Sequence, residues 1–166
     1  AVSIASRTSE PTEAHWVSLK RVLRYLKGTM EFGLLFKQQY SPQLEGYSDA
    51  DFANCKETRR STSGFVIMWG EYLLAWKCQR QRIVTLSTTE AEYVAGAEMV
   101  KQLLPLKAMM IELNLVQPGP AKVFIDNQST INIAVNEEAQ NRTKHIDLRH
   151  KWLTQSHNSG DIEITH

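Results

Sequence analysis

Three short segments with the length of β-strands follow one another between residues 44 and 78, and they constrain the fold more than any other feature of the sequence. The last two are rich in apolar and aromatic side chains, and they are separated only by Gly70 and Glu71, a pair that suits a tight hairpin. Short connections of this kind join antiparallel neighbours. The sequence therefore predicts a sheet that begins with three antiparallel strands. The segments are "LEGYSDAD", "SGFVIMW" and "YLLAWKC".

The second half of the chain alternates between helical and extended patterns. "STTEAEYVAGAEMVKQLLPLKAMMIELN" predicts a long helix, which we expect Pro105 to kink or break because proline removes a helical hydrogen bond. Strands followed by alternating helices and strands predict an α/β fold, a mixed sheet in which parallel strands follow the antiparallel ones, flanked by helices. The later segments are the strand "KVFID", the helix "STINIAVN", the helix "KHIDLRHKWLTQSHN" and the strand "DIEIT".

The N-terminal segment predicts a helix with two unlike faces, followed by a first strand, "FGLLFK". Gly28 marks the end of this helix. Its basic face fits either a solvated surface or a surface that contacts phosphate. The apolar face consists of Trp16, Leu19, Val22, Leu23 and Leu26, and the basic face of Lys20, Arg21, Arg24 and Lys27.

Composition limits the function without identifying it. A chain of 166 residues with 42% hydrophobic content is large enough for one domain with a substantial core. The net charge of +1 does not by itself indicate a nucleic-acid partner, so any basic surface must be local. Cys55 and Cys78 are too few for a disulfide framework, which is typical of a reducing intracellular setting. Because the sequence has no long apolar run, we expect no membrane partner.

Three acidic residues occupy special places in this layout. Asp49 lies at the end of the first sheet strand, Glu90 in the first turn of the long helix, and Asp126 at the end of "KVFID". Each also has an ordinary structural explanation. Asp49 fits a turn, and Asp126 with Asn127 fits a helix cap. Glu90 lies three residues after Ser87, which fits a capping box.

Taken together, the three acids predict a metal site. If the first and fourth strands are adjacent and parallel, Asp49 and Asp126 emerge at neighbouring strand ends, where the helix that carries Glu90 can present its first turn. Carboxylates that converge without cations raise one another's pKa, and divalent ions remove that conflict. Hard oxygen ligands suit Mg²⁺ or Mn²⁺, and two such ions promote phosphodiester cleavage by water. Asp51 is interpreted as a rim residue near substrate or as a turn former.

Six long phrases occur in fixed order from His15 onward: "HWVSLKRVLRYLKGT", "GYSDADFA", "RRSTSGFV", "WKCQRQRIVTLSTTEAEYVA", "IDNQSTI" and "RTKHIDLRHKW". Together with the order of the three acids, they resemble the type 1 ribonuclease H pattern. More narrowly, they resemble the ribonuclease H domain of copia-type long-terminal-repeat retrotransposon polyproteins. The resemblance implies a ribonuclease H-like domain at residues 39–166. It also implies that residues 1–38 are the tail of the preceding reverse transcriptase region, comprising the helix and the first strand.

The resemblance further implies a metal-dependent endonuclease that hydrolyses the RNA strand of RNA/DNA hybrids. Asp49, Glu90 and Asp126 would be its metal-binding catalytic acids, with two Mg²⁺ or Mn²⁺ ions. Such enzymes use a fourth carboxylate, which we expect on a helix after the last strand. Because the chain ends at His166 before any such phrase, the domain is expected to lack this C-terminal helix. Asp147 in "KHIDLRH" is the alternative fourth ligand.

Residues beside the acids are the expected substrate contacts. A hybrid is recognised by its shape, its phosphates and its 2′-hydroxyl groups, which suits small polar side chains and basic residues. For the basic residues, the alternative interpretation is that they are solvated strand ends. The flanking candidates are Ala50, Asp51, Thr88, Thr89, Asn127 and Gln128, and the basic candidates are Arg59, Arg60, Lys77, Arg80 and Arg82, with Trp76 among them.

Two other interpretations stay open. One is a ribonuclease H fold with little or no activity, which binds hybrid or serves as a scaffold for a reverse transcriptase. The other is an integrase on a related fold, which requires the order Asp, Asp, Glu and is disfavoured because Glu90 comes second. The resemblance also implies that the reverse transcriptase region of the same polyprotein is a partner. The implied location is intracellular and cytoplasmic, within virus-like particles of the parent element.

Overall fold

A computed structural model describes residues 2, 10–36, 42–55, 58–136 and 151–166. The chain divides into two compact units, Ala1–Leu35 and Phe36–His166. This division lies close to the predicted boundary after residue 38, and the assignment of the first part to a reverse transcriptase region stays a prediction. Within the described residues, no helix combines the length and apolar character needed to cross a membrane.

The first unit contains helix α1, Glu13–Gly28, which has no buried residue. Its predicted apolar face is solvent-exposed within the unit, with Trp16 52% exposed, and Lys20 places its ammonium 5.7 Å from the centre of the Trp16 ring. The predicted strand "FGLLFK" is wrong over its described part, because residues 32–36 form no strand. A strand requires a paired backbone, and the Phe32 amide instead donates to the Thr29 carbonyl that ends the helix.

The second unit is built on a five-stranded mixed sheet. Its strands are β1 (Leu44–Asp51), β2 (Thr62–Trp69), β3 (Tyr72–Arg80), β4 (Ala121–Ile125) and β5 (Ile162–Thr165). They lie in the order β3-β2-β1-β4-β5, with β1 to β3 antiparallel and β4 and β5 parallel to β1. Gly70 makes the predicted hairpin with a φ of +57°, a conformation that favours glycine. The predicted α/β class, with three antiparallel strands and then parallel ones, is confirmed.

Helix α2, Thr88–Glu112, runs unbroken through Pro105, so the expected break is absent. Leu103 and Met110 are buried on either side of the proline, while Pro105 itself is exposed. Core packing keeps the residues on both sides of the proline helical, and Pro105 lies on the solvent side of the helix. Tertiary contacts therefore override the local preference of proline.

Two shorter helices, α3 (Gln128–Val135) and α4 (Trp152–Asn158), share the core with α2. The predicted helix "KHIDLRHKWLTQSHN" is confirmed over residues 152–158, and residues 144–150 lie outside the described part of the chain. Close packing of α2 on β1 depends on Gly46, because a Cβ there would lie 2.6 Å from the Met99 sulfur. This close approach brings the first turn of α2 near the end of β1.

Candidate metal centre

Two of the predicted acids lie at the ends of adjacent parallel strands. In the β1 and β4 ladder, Ser48 is paired with Ile125, so the next residues along each strand are Asp49 and Asp126. Both aspartates are solvent-exposed. The adjacency expected from the sequence is therefore present, and it places two carboxylates at one edge of the sheet.

The third acid beside them is Glu92, in the second turn of α2. Carboxylate oxygens of Asp49, Glu92 and Asp126 all lie within 4.8 Å of one another. Ala50, Ala91 and Ala95 form a small buried cluster that allows the helix to approach β1 closely. Glu92 is only 3% exposed, and its Oε1 accepts a hydrogen bond of 3.0 Å from the Ala50 amide. One carboxylate is thus buried behind two exposed ones.

The structure does not bring Glu90 into this acidic group, which corrects the choice of the middle acid. Glu90 Oε2 accepts a hydrogen bond of 2.6 Å from the Leu86 amide, and the Glu90 amide donates to Ser87 Oγ at 3.1 Å. These contacts match the ordinary explanation, in which Glu90 satisfies amides at the start of a helix. Residues two apart on a helix do not face the same way, and the acid of α2 that lies near the two aspartates is Glu92.

The electrostatics of the acidic group suit a cation. The pKa of Glu92 is raised from 4.5 to about 7; burial is the main cause, the negative charges of Asp49 and Asp126 add to it, and the hydrogen bond from the Ala50 amide partly opposes it. Among the described residues, the buried Oε2 of Glu92 has no hydrogen-bond partner. Three converging carboxylates with one unsatisfied buried oxygen fit a divalent ion that prefers hard oxygen ligands.

The amino-acid sequence matches transposon polyproteins along almost its whole length. It is 38% identical over 165 residues to the retrovirus-related Pol polyprotein from transposon TNT 1-94 of Nicotiana tabacum, which covers 99% of this chain and 12% of that protein. It is 33% identical over 156 residues to the polyprotein from transposon RE2 of Arabidopsis thaliana, covering 94% of this chain and 11% of that protein. Along this stretch the chain is similar to retrovirus-related Pol polyproteins of copia-type transposons. No family model matches it.

The chain spans only 11 to 12% of the length of those two relatives. Among solved structures, it is similar to LC11-RNase H1, which was isolated from compost, at 14% sequence identity and a TM-score of 0.48. That match covers 75% of this chain and 84% of the other chain.

Several predicted substrate residues make contacts within the protein. Asp51 Oδ2 accepts a hydrogen bond of 2.7 Å from Asn54 Nδ2, which matches the interpretation of Asp51 as a turn former. Ala50 is buried and binds Glu92 through its amide. Asn127 caps α3, because its Oδ1 accepts a hydrogen bond of 3.0 Å from the Thr130 amide. A role of these three residues in binding substrate stays a prediction.

The remaining predicted substrate residues beside the acids differ in exposure. Thr88 and Gln128 are exposed, and Thr89 is half-buried. They are the small polar groups that lie on the accessible surface beside the acids. Asp147, the alternative fourth ligand, lies outside the described residues.

The basic residues that were predicted to contact substrate are only partly available to a ligand. Lys77 lies 4.0 Å from Glu98 in an ion pair, and Arg80 donates a hydrogen bond of 3.6 Å to Cys55 Sγ. Arg60 is half-buried, while Arg59, Arg82 and Trp76 are exposed. Sequence spacing alone does not distinguish the basic residues that are paired within the protein from those that are exposed, because their partners lie on elements distant in the chain.

Proposed function

We propose that the second unit is a divalent-metal-dependent nuclease that hydrolyses the RNA strand of RNA/DNA hybrids. The observation that carries this proposal is the convergence of Asp49, Glu92 and Asp126 from two parallel strand ends and one helix. Similarity to retrovirus-related Pol polyproteins supports it, because copying RNA into DNA leaves a hybrid whose RNA strand must be removed. The resemblance of the sequence to ribonuclease H domains points to the same substrate.

The acidic group would hold two Mg²⁺ or Mn²⁺ ions. When bound, these ions supply the positive charge that activates a water and stabilises the leaving oxygen. Asp49 and Asp126 lie exposed where a phosphate can approach, and Glu92 contributes its carboxylate from the buried side. The Ala50 amide fixes one Glu92 oxygen and leaves Oε2 for the ion. Asp147 stays a predicted fourth ligand.

In the proposed reaction, the oxygen of a water adds to phosphorus and the bond between phosphorus and the 3′-oxygen breaks. The 3′-oxygen takes up a proton, so the products are a 5′-phosphate and a 3′-hydroxyl. The exposed groups Arg59, Arg82, Thr88 and Gln128 are proposed to contact the hybrid. The proposed partner is the reverse transcriptase region of the same polyprotein, and the proposed location is a cytoplasmic particle of the parent element.

The test is cleavage of a hybrid labelled on its RNA strand, with Mg²⁺ or Mn²⁺ and with EDTA as a blank. The assay is run on this chain and on the same chain carried in a longer stretch of its polyprotein. We expect the RNA strand to be cut only when metal is present, and Asp126→Asn to lose this activity. Equal cutting by Asp126→Asn, or a hybrid that binds both proteins and is never cut, would contradict the proposal. The second outcome would favour the scaffold.

A further inference from the structure

We propose that Thr130 and Gln81 are positioning residues that hold Glu92 between the two strand-end aspartates. Both donate side-chain hydrogen bonds to main-chain carbonyls at the start of α2. Thr130 Oγ1 donates to the Thr89 carbonyl at 2.9 Å, and Gln81 Nε2 donates to the Ala91 carbonyl at 2.9 Å. The inference rests on the proposed metal function of this site and concerns how the protein builds it.

Thr130 connects the first turn of α2 to the end of β4. It is fully buried, and its own amide donates to Asn127 Oδ1 at 3.0 Å. Asn127 directly follows Asp126, so the cap of α3 and the acid share one short stretch of backbone. The Thr130 side chain therefore sets the separation between Asp126 and the turn of α2 that leads to Glu92.

Gln81 connects the same turn to the other side of the site. It is the first residue after β3 and is 4% exposed. Its Nε2 donates its second hydrogen to Ser63 Oγ at 2.7 Å, and Ser63 is paired with Ala50 in the β1 and β2 ladder. Because Ala50 follows Asp49 and its amide binds Glu92 Oε1, Gln81 fixes the helix relative to the strand that carries Asp49.

The two hydrogen bonds act from opposite sides on one turn of helix. Both side chains are neutral and bind carbonyls one and three residues before Glu92. They therefore affect the position of Glu92 and not its charge. Partners that orient a metal ligand typically change metal affinity by about 10 to 100-fold when they are removed. A small rotation of α2 would move the buried Glu92 carboxylate away from both aspartates at once, because those aspartates are fixed to the sheet.

The experiment is a calorimetric titration of the metal-free full chain with Mn²⁺. Thr130→Val removes the hydroxyl with little change in shape and is expected to weaken Mn²⁺ binding by about 10-fold. Thr130→Ser keeps the hydroxyl and is expected to restore the affinity. Gln81→Met is expected to act in the same direction as Thr130→Val.

Thr154→Val is the matched control. It also removes a buried threonine hydroxyl that bonds to α2, in this case to the Tyr93 hydroxyl at 2.8 Å. It is expected to cost similar stability, measured by urea unfolding, while Mn²⁺ affinity stays within about twofold of the wild type. A purely structural role for Thr130 predicts that the two valine variants behave alike in both measurements.

A second readout needs no metal. The Ala50 amide reports the position of Glu92, so its hydrogen exchange in the metal-free protein is expected to speed up in Thr130→Val but not in Thr154→Val. If the wild type binds no Mn²⁺, the proposed function fails, and unchanged Ala50 exchange in Thr130→Val then overturns the positioning role as well. If the wild type binds Mn²⁺ and Thr130→Val and Gln81→Met bind it equally well, only the positioning role is overturned.

Discussion

Replacing Glu92 with glutamine is expected to stabilise the metal-free protein, and increasingly so as the pH rises. In the folded protein the pKa of Glu92 is raised from 4.5 to about 7, first by burial and then by the charges of Asp49 and Asp126. The unfolded chain releases this proton at the ordinary pKa. Between pH 4.5 and 7 the folded state therefore holds a proton that the unfolded state has lost, and stability falls as the pH rises through this window.

The size of the effect follows from the same values. A rise from 4.5 to about 7, at 1.36 kcal/mol for each pH unit, corresponds to a loss of ~3 kcal/mol above neutral pH and almost none at pH 4. Glutamine keeps the oxygen that accepts from the Ala50 amide and carries no charge. The free energy of unfolding of Glu92→Gln relative to the wild type is thus expected to rise by up to ~3 kcal/mol between pH 4 and pH 8.

The assay is urea unfolding of both proteins in EDTA at pH 4, 6 and 8. Mn²⁺ provides the internal control, because it is expected to stabilise the wild type at pH 8 and to have much less effect on Glu92→Gln. A difference between the two proteins that stays constant from pH 4 to pH 8, or that shrinks, would refute the reasoning. Such a result would mean that Glu92 ionises freely in the folded state.

Two further predictions follow from the packing and from the pair of acids in β1. Gly46→Ala is expected to lower the free energy of unfolding by about 1 to 3 kcal/mol, because the new Cβ would lie 2.6 Å from the buried Met99 sulfur; unchanged urea unfolding would contradict this. Asp49→Asn is expected to lose Mn²⁺ binding in a calorimetric titration, whereas Asp51→Asn, which changes a carboxylate that binds Asn54, is expected to retain most of it; equal losses would contradict the separate roles.

The order of strands and helices could be predicted from the sequence because each depends on a local period of apolar residues. Residues 44–80 have the length and turn chemistry of antiparallel strands, and the structure confirms them. The break expected at Pro105 is absent because core packing on both sides of the proline decides the outcome, and a local rule does not include that packing. The segment "FGLLFK" has an extended pattern, but a strand also needs a partner, which no local pattern supplies.

The choice between Glu90 and Glu92 shows where sequence reasoning about the site reached its limit. Ala91, Ala95 and Met99 form the stripe of α2 that faces β1. Glu90 and Glu92 lie about 100° to either side of that stripe. The sequence pattern at the start of the helix favoured Glu90. Which of the two glutamates lies near Asp126 depends on the side of α2 at which β4 ends. That depends on the tertiary arrangement, whereas the strand-end position of Asp49 and Asp126 depends only on strand order.

The most direct test of the metal centre is the rate at which Glu92→Gln and Glu90→Gln cleave the RNA strand of a hybrid in Mg²⁺. The two substitutions make the same chemical change two residues apart on one helix. The cleavage rate of Glu92→Gln is expected to fall by more than the ~100-fold that is typical when a residue orienting a metal ligand is removed. The rate of Glu90→Gln is expected to stay close to that of the wild type. Full activity in Glu92→Gln, with loss in Glu90→Gln, would contradict the assignment of Glu92 to the metal centre.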